Sequence, residues 1–146
     1  MKIIIGVGLD NIIFGLSQDE VKDILGKPDK VSETEKTDNI VYSYNYNLTK
    51  YKFDKDEDYR LETIETYNPE VILFGEKIVG MSKEQIKDLL IQNNYYNTEY
   101  EEYDFFETLF CENIWTTFQF NFDRLQSLEF SPLFKDENER IWPCKN

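Results

Sequence analysis

One stretch of this chain occurs twice. Phe14-Gly15-Leu16-Ser17-Gln18-Asp19-Glu20-Val21-Lys22-Asp23-Ile24-Leu25 returns 65 positions later as Val79-Gly80-Met81-Ser82-Lys83-Glu84-Gln85-Ile86-Lys87-Asp88-Leu89-Leu90. Its physical content is a helix start. Ser17 stands three residues before Glu20 and Ser82 three before Gln85, the reciprocal spacing of a capping box, with each serine as N-cap. Leu16 with Val21, and Met81 with Ile86, fall where an apolar staple sets how the chain enters the helix. Val21, Ile24 and Leu25, and likewise Ile86, Leu89 and Leu90, then form one apolar face, and Lys22-Asp23 and Lys87-Asp88 turn to water. Gly26 and Pro28 end the first helix, and Asn93-Asn94 offers a left-handed end to the second.

A second echo lies at the far end of each copy. Arg60-Leu61-Glu62-Thr63-Ile64-Glu65 matches Arg124-Leu125-Gln126-Ser127-Leu128-Glu129 at a displacement of 64. The expectation is an α+β protein of two tandem units, 1–69 and 70–146, each a helix on a three- or four-stranded antiparallel sheet, together forming one globule with a longer curved sheet. A chain of 146 residues can bury about two thirds of its unfolded surface in such a globule.

Period-two patterning supplies the strands. Ile3 to Val7 reads as a strand, followed by a short run at Ile12-Ile13-Phe14. Gly6-Val7-Gly8 does not continue into a dinucleotide fingerprint, because Asn11 takes the third glycine position. Asp29 to Asn39 is polar and reads as loop. Val41 to Tyr46 puts Tyr42, Tyr44 and Tyr46 on one face, for the helix or for a partner. After a hairpin at Asn47-Leu48-Thr49, a strand at Tyr51-Lys52-Phe53 and one from Tyr59 to Tyr67 complete the first unit. In the second, Val71 to Phe74 is a short apolar run. Phe105–Cys111, Ile114–Phe122 and Leu125–Phe130 are the strands, with Phe118, Phe120 and Phe122 sharing a face. Trp142 is placed to dock the C-terminal tail.

Composition removes several functions. The chain has no histidine, which excludes Ser/His and Cys/His nucleophilic pairs and imidazole metal sites. It has no phosphate-cradling glycine loop and no clustered thiols; no cofactor and no enzymatic activity are expected. Cys111 and Cys144 are far apart and read as free thiols. No apolar run is long enough for a membrane span or a signal-peptide core, and no lipobox-like cysteine lies near Met1; the expected compartment is the cytoplasm. A formal charge of −13 argues against nucleic acid and anionic membranes as partners, since both need a basic footprint.

Asp54, Asp56 and Asp58 alternate, with Glu65 twelfth, as in a calcium loop. The sixth position is Tyr59 where glycine is required, so a solvated hairpin turn is the better account.

The remaining charge is concentrated. From Asp88 to Asp123 there is no lysine or arginine, while Asp88, Glu99, Glu101, Glu102, Asp104, Glu107, Glu112 and Asp123 are all acidic. Tyr95, Tyr96, Tyr100, Tyr103, Phe105 and Phe106 interleave with them. Two readings stay open: aromatics packed in a core with acids on the wet face, or tyrosine anchors in an acidic field, suited to a steered interface with a basic protein. On the second, the partner-binding residues are Tyr96, Glu99, Tyr100, Glu101, Glu102, Tyr103, Asp104 and Glu107.

The run Ile13-Phe14-Gly15-Leu16-Ser17 through Leu25-Gly26-Lys27-Pro28-Asp29 resembles the opening of the helix-and-sheet repeat shared by the β-lactamase inhibitor protein and the small outer-membrane assembly lipoproteins. About 17 residues carry the match, and the second copy lacks the Gly-x-Pro-Asp ending. Cytosolic acidic proteins of this kind look like immunity proteins for secreted bacterial toxins. The resemblance therefore implies a binding protein, and the expected function is an inhibitor neutralising a basic toxin domain such as a nuclease. The alternative is a structural or assembly module that takes a neutral partner on the Tyr42, Tyr44, Tyr46 face.

Overall fold

Both occurrences of the repeated stretch begin a helix, α1 over Gln18–Leu25 and α2 over Lys83–Gln92, in a computed structural model that describes residues 1–34 and 38–144. Both capping boxes are closed. Ser17 Oγ accepts from the Glu20 N–H at 3.1 Å and Ser82 Oγ from the Gln85 N–H at 3.2 Å. The glutamate and glutamine return the bond to the serine N–H groups. Gly26 ends α1 with a φ of 86°, and α2 runs out through Asn93 to Asn94 at φ 68°. Val21, Ile86, Leu89 and Leu90 are buried, but Ile24 is exposed, so the apolar face of α1 is narrower than its pattern.

Eight strands form one antiparallel sheet: β1 Lys30–Glu33, β2 Ile40–Tyr44, β3 Thr49–Asp54, β4 Arg60–Thr66, β5 Thr98–Glu102, β6 Glu107–Cys111, β7 Thr116–Asn121 and β8 Arg124–Phe130. Their spatial order is β5-β6-β7-β8-β4-β3-β2-β1. Two four-stranded meanders thus meet at β8 and β4, through Leu128–Thr66, Glu129–Glu65 and Phe130–Ile64. The protein is α+β, and the described residues form two α-helices, this sheet and two small ones. Separate sheets for the two halves are not seen: pairing runs unbroken across the middle.

The halves use the same devices. Each final hairpin contains a bulge, with Glu62 the extra residue between β3 and β4 and Gln126 the extra residue between β7 and β8. Beside each bulge a leucine ties down the segment that leads into a helix. Leu61 exchanges backbone bonds with Gly15 and Leu16 at 2.9 and 2.8 Å, and Leu125 exchanges the same bonds with Gly80 and Met81 at 2.9 and 2.8 Å. The repeated sequence is a docking joint between helix entry and sheet.

One face of the sheet is covered by the helices and by the N-terminal ribbon of Ile3–Ile4, Gly8–Leu9 and Ile12–Ile13. The core there is aromatic, with Phe14, Phe53, Phe118, Phe120 and Phe130 fully buried. Tyr42 and Tyr44 belong to it, their hydroxyls donating to Gln18 Oε1 at 2.8 Å and to the Gly26 carbonyl at 2.7 Å, the usual requirement for a buried tyrosine. Strand β2 stops at Tyr44, so Tyr46 leaves the shared face and is 67% exposed. The expected three-tyrosine face is therefore not formed: Tyr42 and Tyr44 lie beneath α1, and Tyr46 stands apart from them in water.

Three other expectations change. The strand expected at Ile3–Val7 shortens to Ile3–Ile4, since Gly6 turns the chain at φ 72°. Lys30–Glu33, read as loop, is an edge strand; residues 35–37 of that expected loop lie outside the described residues. Phe122 does not follow Phe118 and Phe120 inward, because β7 ends at Asn121 and Phe122 enters the turn. Among the described residues no helix is long and apolar enough to cross a membrane.

Candidate functional site

The acidic aromatic segment folds into the outermost hairpin, β5 to β6, at the free edge of the second meander. Seven of its eight proposed residues, from Glu99 through Asp104 plus Glu107, lie on β5, at its turn or at the start of β6. Tyr96 is separated from them. It precedes β5, at the end opposite the turn, with its hydroxyl 3.3 Å from Asn94 Oδ1.

Pleating divides the rest between two faces. Tyr100 pairs with Leu109 and Glu102 with Glu107, which puts Tyr100, Glu102 and Glu107 on the helix-covered side. There the Tyr100 hydroxyl donates toward Glu102 at 2.9 Å and toward Glu107. The bond to Glu107, then partial burial and the bond to Glu102, hold its pKa well above the usual tyrosine range. Lys83 Nζ sits 3.9 Å from the centre of its ring. Glu99 and Glu101 lie on the opposite, open face, where the Tyr103 hydroxyl donates to Glu101 at 2.7 Å. That bond raises the Tyr103 pKa as well. Tyrosine hydroxyls thus spread the local negative charge without neutralising it.

The turn carries one of a pair that the expected partner-binding residues do not include, although Phe105 is among the aromatics interleaved with the acids. Phe105, at the tip of this hairpin, is 87% exposed, and Phe122, at the tip of the β7–β8 hairpin, is 99% exposed. Tyr103 stacks on Phe106 with ring centres 4.7 Å apart, and the Asn121 amide reaches the Phe105 carbonyl at 3.5 Å. Together the two tips border a shallow groove of about 420 Å³ whose walls also include Asp104 and Glu107. Phe122-Asp123 between two alternating runs was the available signal, since two residues between strands read as a hairpin turn. Asp123 has a structural task, accepting the Lys83 N–H at 3.0 Å where α2 begins.

The calcium-like spacing resolves into a turn. Asp54 Oδ1 accepts the Asp56 N–H at 2.9 Å at the start of a 3-10 turn, Lys55–Glu57. The twelfth residue, Glu65, lies on β4 and faces Lys52, whose Nζ is 3.1 Å from Glu65 and 3.4 Å from Glu129. Burial works against the Lys52 charge, but Glu129 and Glu65 outweigh it and raise its pKa. Among the described residues no cluster of three or more carboxylates or thiols is arranged to hold a metal ion.

A partly buried ion pair pins the tail. Arg140 Nη2 meets Glu62 at 2.6 Å and Nη1 donates to the Pro132 carbonyl at 2.7 Å, while the guanidinium lies 4.1 Å from the Phe134 ring centre. Burial first, then the neighbouring Asp54 carboxyl, push Glu62 up to about 7 against the pull of Arg140. Trp142 docks as its pattern suggested, with Arg60 4.3 Å above its ring.

No protein-family model matches this sequence, and no curated protein matches it. Its fold is shared with solved structures. One is a DUF4309 family protein, YjgB, from Bacillus subtilis subsp. subtilis str. 168, with a TM-score of 0.51 and 12% identity over 87% of this chain and 82% of that one. Another is an extracellular protein containing a SCP domain from Bacillus anthracis str. Ames, with a TM-score of 0.50 and 12% identity. This chain is covered over 81% of its length there but spans only 43% of that protein. At such identity the likeness is one of fold. It corrects the resemblance drawn from the sequence, because the matching folds are these and not the β-lactamase inhibitor or assembly-lipoprotein repeat. The Gly-Leu-Ser and Gly-Lys-Pro-Asp elements behind that resemblance specify a capped helix start and a helix stop, which any fold can use. The immunity role drawn from the resemblance goes with it.

Proposed function

We propose that this protein is a non-enzymatic binding module that grips a basic protein partner with the two hairpin tips of its second meander. The observation that carries the proposal is the pair Phe105 and Phe122, almost fully exposed on neighbouring turns, with Asp104 and Glu107 in the groove between them and Glu101 and Glu102 just before the turn on β5. A large apolar side chain gains nothing from water, and exposed apolar surface rimmed by polar groups is a common mark of a binding site. Acidic groups around such anchors attract a basic partner and repel nucleic acid. Tandem duplication of residues 1–69 as 70–146 is part of the same proposal, and is supported by the matching bulges and helix-entry joints. A cytoplasmic setting is proposed as well, on the buried free thiol of Cys111, although one protein of similar fold is described as extracellular.

Photo-crosslinking from position 105 in the native cell identifies a candidate partner, and titration of that partner then tests the site. Replacing both Phe105 and Phe122 by alanine, or Glu101, Glu102 and Asp104 by lysine, should weaken binding at least about tenfold with an unchanged melting temperature. Association should slow steeply as salt rises, because exposed charges are screened within about 10 Å at 0.1 M. A partner that is acidic, or one whose affinity ignores both sets of changes, overturns the proposal.

A further inference from the structure

The outer edge of β5 is unpaired, and its geometry fixes which peptide groups are free. Tyr103 donates its N–H to the Phe106 carbonyl at 2.9 Å, which makes that a hydrogen-bonded pair of the hairpin. Antiparallel pairs alternate between bonded and non-bonded, so in this register Glu101–Thr108 and Glu99–Phe110 are bonded, and Glu102–Glu107, Tyr100–Leu109 and Thr98–Cys111 are not. The N–H and C=O groups of Thr98, Tyr100 and Glu102 therefore point outward, and among the described residues no strand lies beyond them. Such a row is a template for another strand.

Charge decides what can use it. Glu99 and Glu101 line the open face beside this edge, and Glu102 and Glu107 line the other face near the tip. On that other face Thr98 and Tyr100 are uncharged, with Lys83 over the Tyr100 ring, where a basic side chain would be repelled. A second copy presenting its own β5 would set three carboxylates against three, and like charges across a strand pair are destabilising. The opposite edge differs: β1, Lys30-Val31-Ser32-Glu33, has one charge of each sign.

We infer that β5 accepts an extended segment of a basic partner as a ninth strand, with alternating basic and apolar side chains. The basic ones lie against Glu99 and Glu101 on the open face, and the apolar ones lie beside Thr98 and Tyr100. The inference rests on the proposed function and adds the partner's conformation: the hairpin tips hold its body and the edge holds a strand.

The test uses the full chain and a short capped peptide of alternating lysine and valine, with serine and valine as the uncharged control. Amide exchange is followed by NMR. Binding of the lysine peptide should slow exchange at Thr98, Tyr100 and Glu102, while Glu99 and Glu101, already bonded to β6, change little. Thr98→Pro removes one outward donor and leaves the β5–β6 ladder intact, because proline is tolerated where an edge N–H faces solvent. It should weaken the peptide roughly tenfold, as expected for one lost hydrogen bond plus a steric block, while Thr98→Val retains binding. A lysine peptide that fails to bind, or that binds without protecting the three alternate amides, overturns strand addition. So does equal protection by the serine peptide, or protection that grows with protein concentration alone. The parent proposal is judged apart: if the alanine changes at Phe105 and Phe122 still release the folded partner while Thr98→Pro does not, the tips bind and the edge does not.

Discussion

The hairpin joining β3 to β4 and the hairpin joining β7 to β8 hold corresponding places in the two meanders, but the chain finishes them differently. In the first, the bulge residue Glu62 is half-buried against Arg140, and Arg60 lies over Trp142. In the second, the corresponding Gln126 and Arg124 are exposed, and Phe122 stands out in water. The C-terminal tail makes the difference. It caps the first hairpin and leaves the second open, so one end of a nearly symmetric sheet is committed to stability and the other is available for contact.

The largest expected effect tests the capped end. Arg140→Ala leaves the partly buried Glu62 without its partner, a change expected to cost about 2–3 kcal/mol, below the roughly 3–5 kcal/mol of a fully buried pair, whereas Gln126→Ala should cost under about 0.5 kcal/mol, as exposed sites do. The loss should depend on pH. Glu62 has a pKa raised to about 7 from an ordinary 4.5, so the folded state favours its protonated form. Its contribution is then fully present below the ordinary value and is lost as pH rises through about 7. Urea unfolding of the alanine variant should show a large deficit at pH 8 that shrinks toward pH 5. A deficit independent of pH would mean that Arg140 acts through Phe134 and the Pro132 carbonyl alone.

A smaller effect sharpens the same comparison. Gly15 and Gly80 are corresponding residues with φ of 101° and 93°, so alanine is strained at both. The strain alone is worth about 1–2 kcal/mol. A methyl at Gly15 would also lie 3.1 Å from Cys144 Cβ and from its carbonyl oxygen, whereas at Gly80 nothing is within 4 Å. Gly15→Ala should therefore cost about 1 kcal/mol more than Gly80→Ala, within the range seen for overpacked sites. Equal losses would show that the tail yields without resistance.

The parts that could be read from the sequence are those in which one face is buried. Strands β3, β4, β7 and β8 alternate because a core lies on one side, and the helix starts announce themselves through their serines. Both outer strands were missed. Lys30–Glu33 and Thr98–Glu102 bury no side chain fully, so neither carries the alternation that marks a half-buried strand. The acidic charge of the site was visible, since it is contiguous in sequence. Its aromatic anchors were not visible as a pair, because Phe105 and Phe122 come from different hairpins and meet only through the sheet register. Arg140 and Glu62, 78 residues apart, had no local signal either.

The smallest expected effect concerns the open end, and its sign matters more than its size. Phe122 and Asp123 both have positive φ, 51° and 56°, in a two-residue turn, a conformation that asparagine and glycine tolerate and a bulky residue resists. Phe122 gains nothing in return from packing, since its ring is in water. Phe122→Asn should therefore raise stability by about 0.5 kcal/mol, in the range of turn optimisations, seen as a small upward shift in the urea midpoint. The same change should weaken the proposed partner by removing one of its two anchors. Stability gained together with binding lost would mean that the phenylalanine is kept in a strained turn for contact rather than for folding. Were stability to fall instead, Phe122 would be holding the hairpin, and the two ends of the sheet would differ less than their exposure suggests.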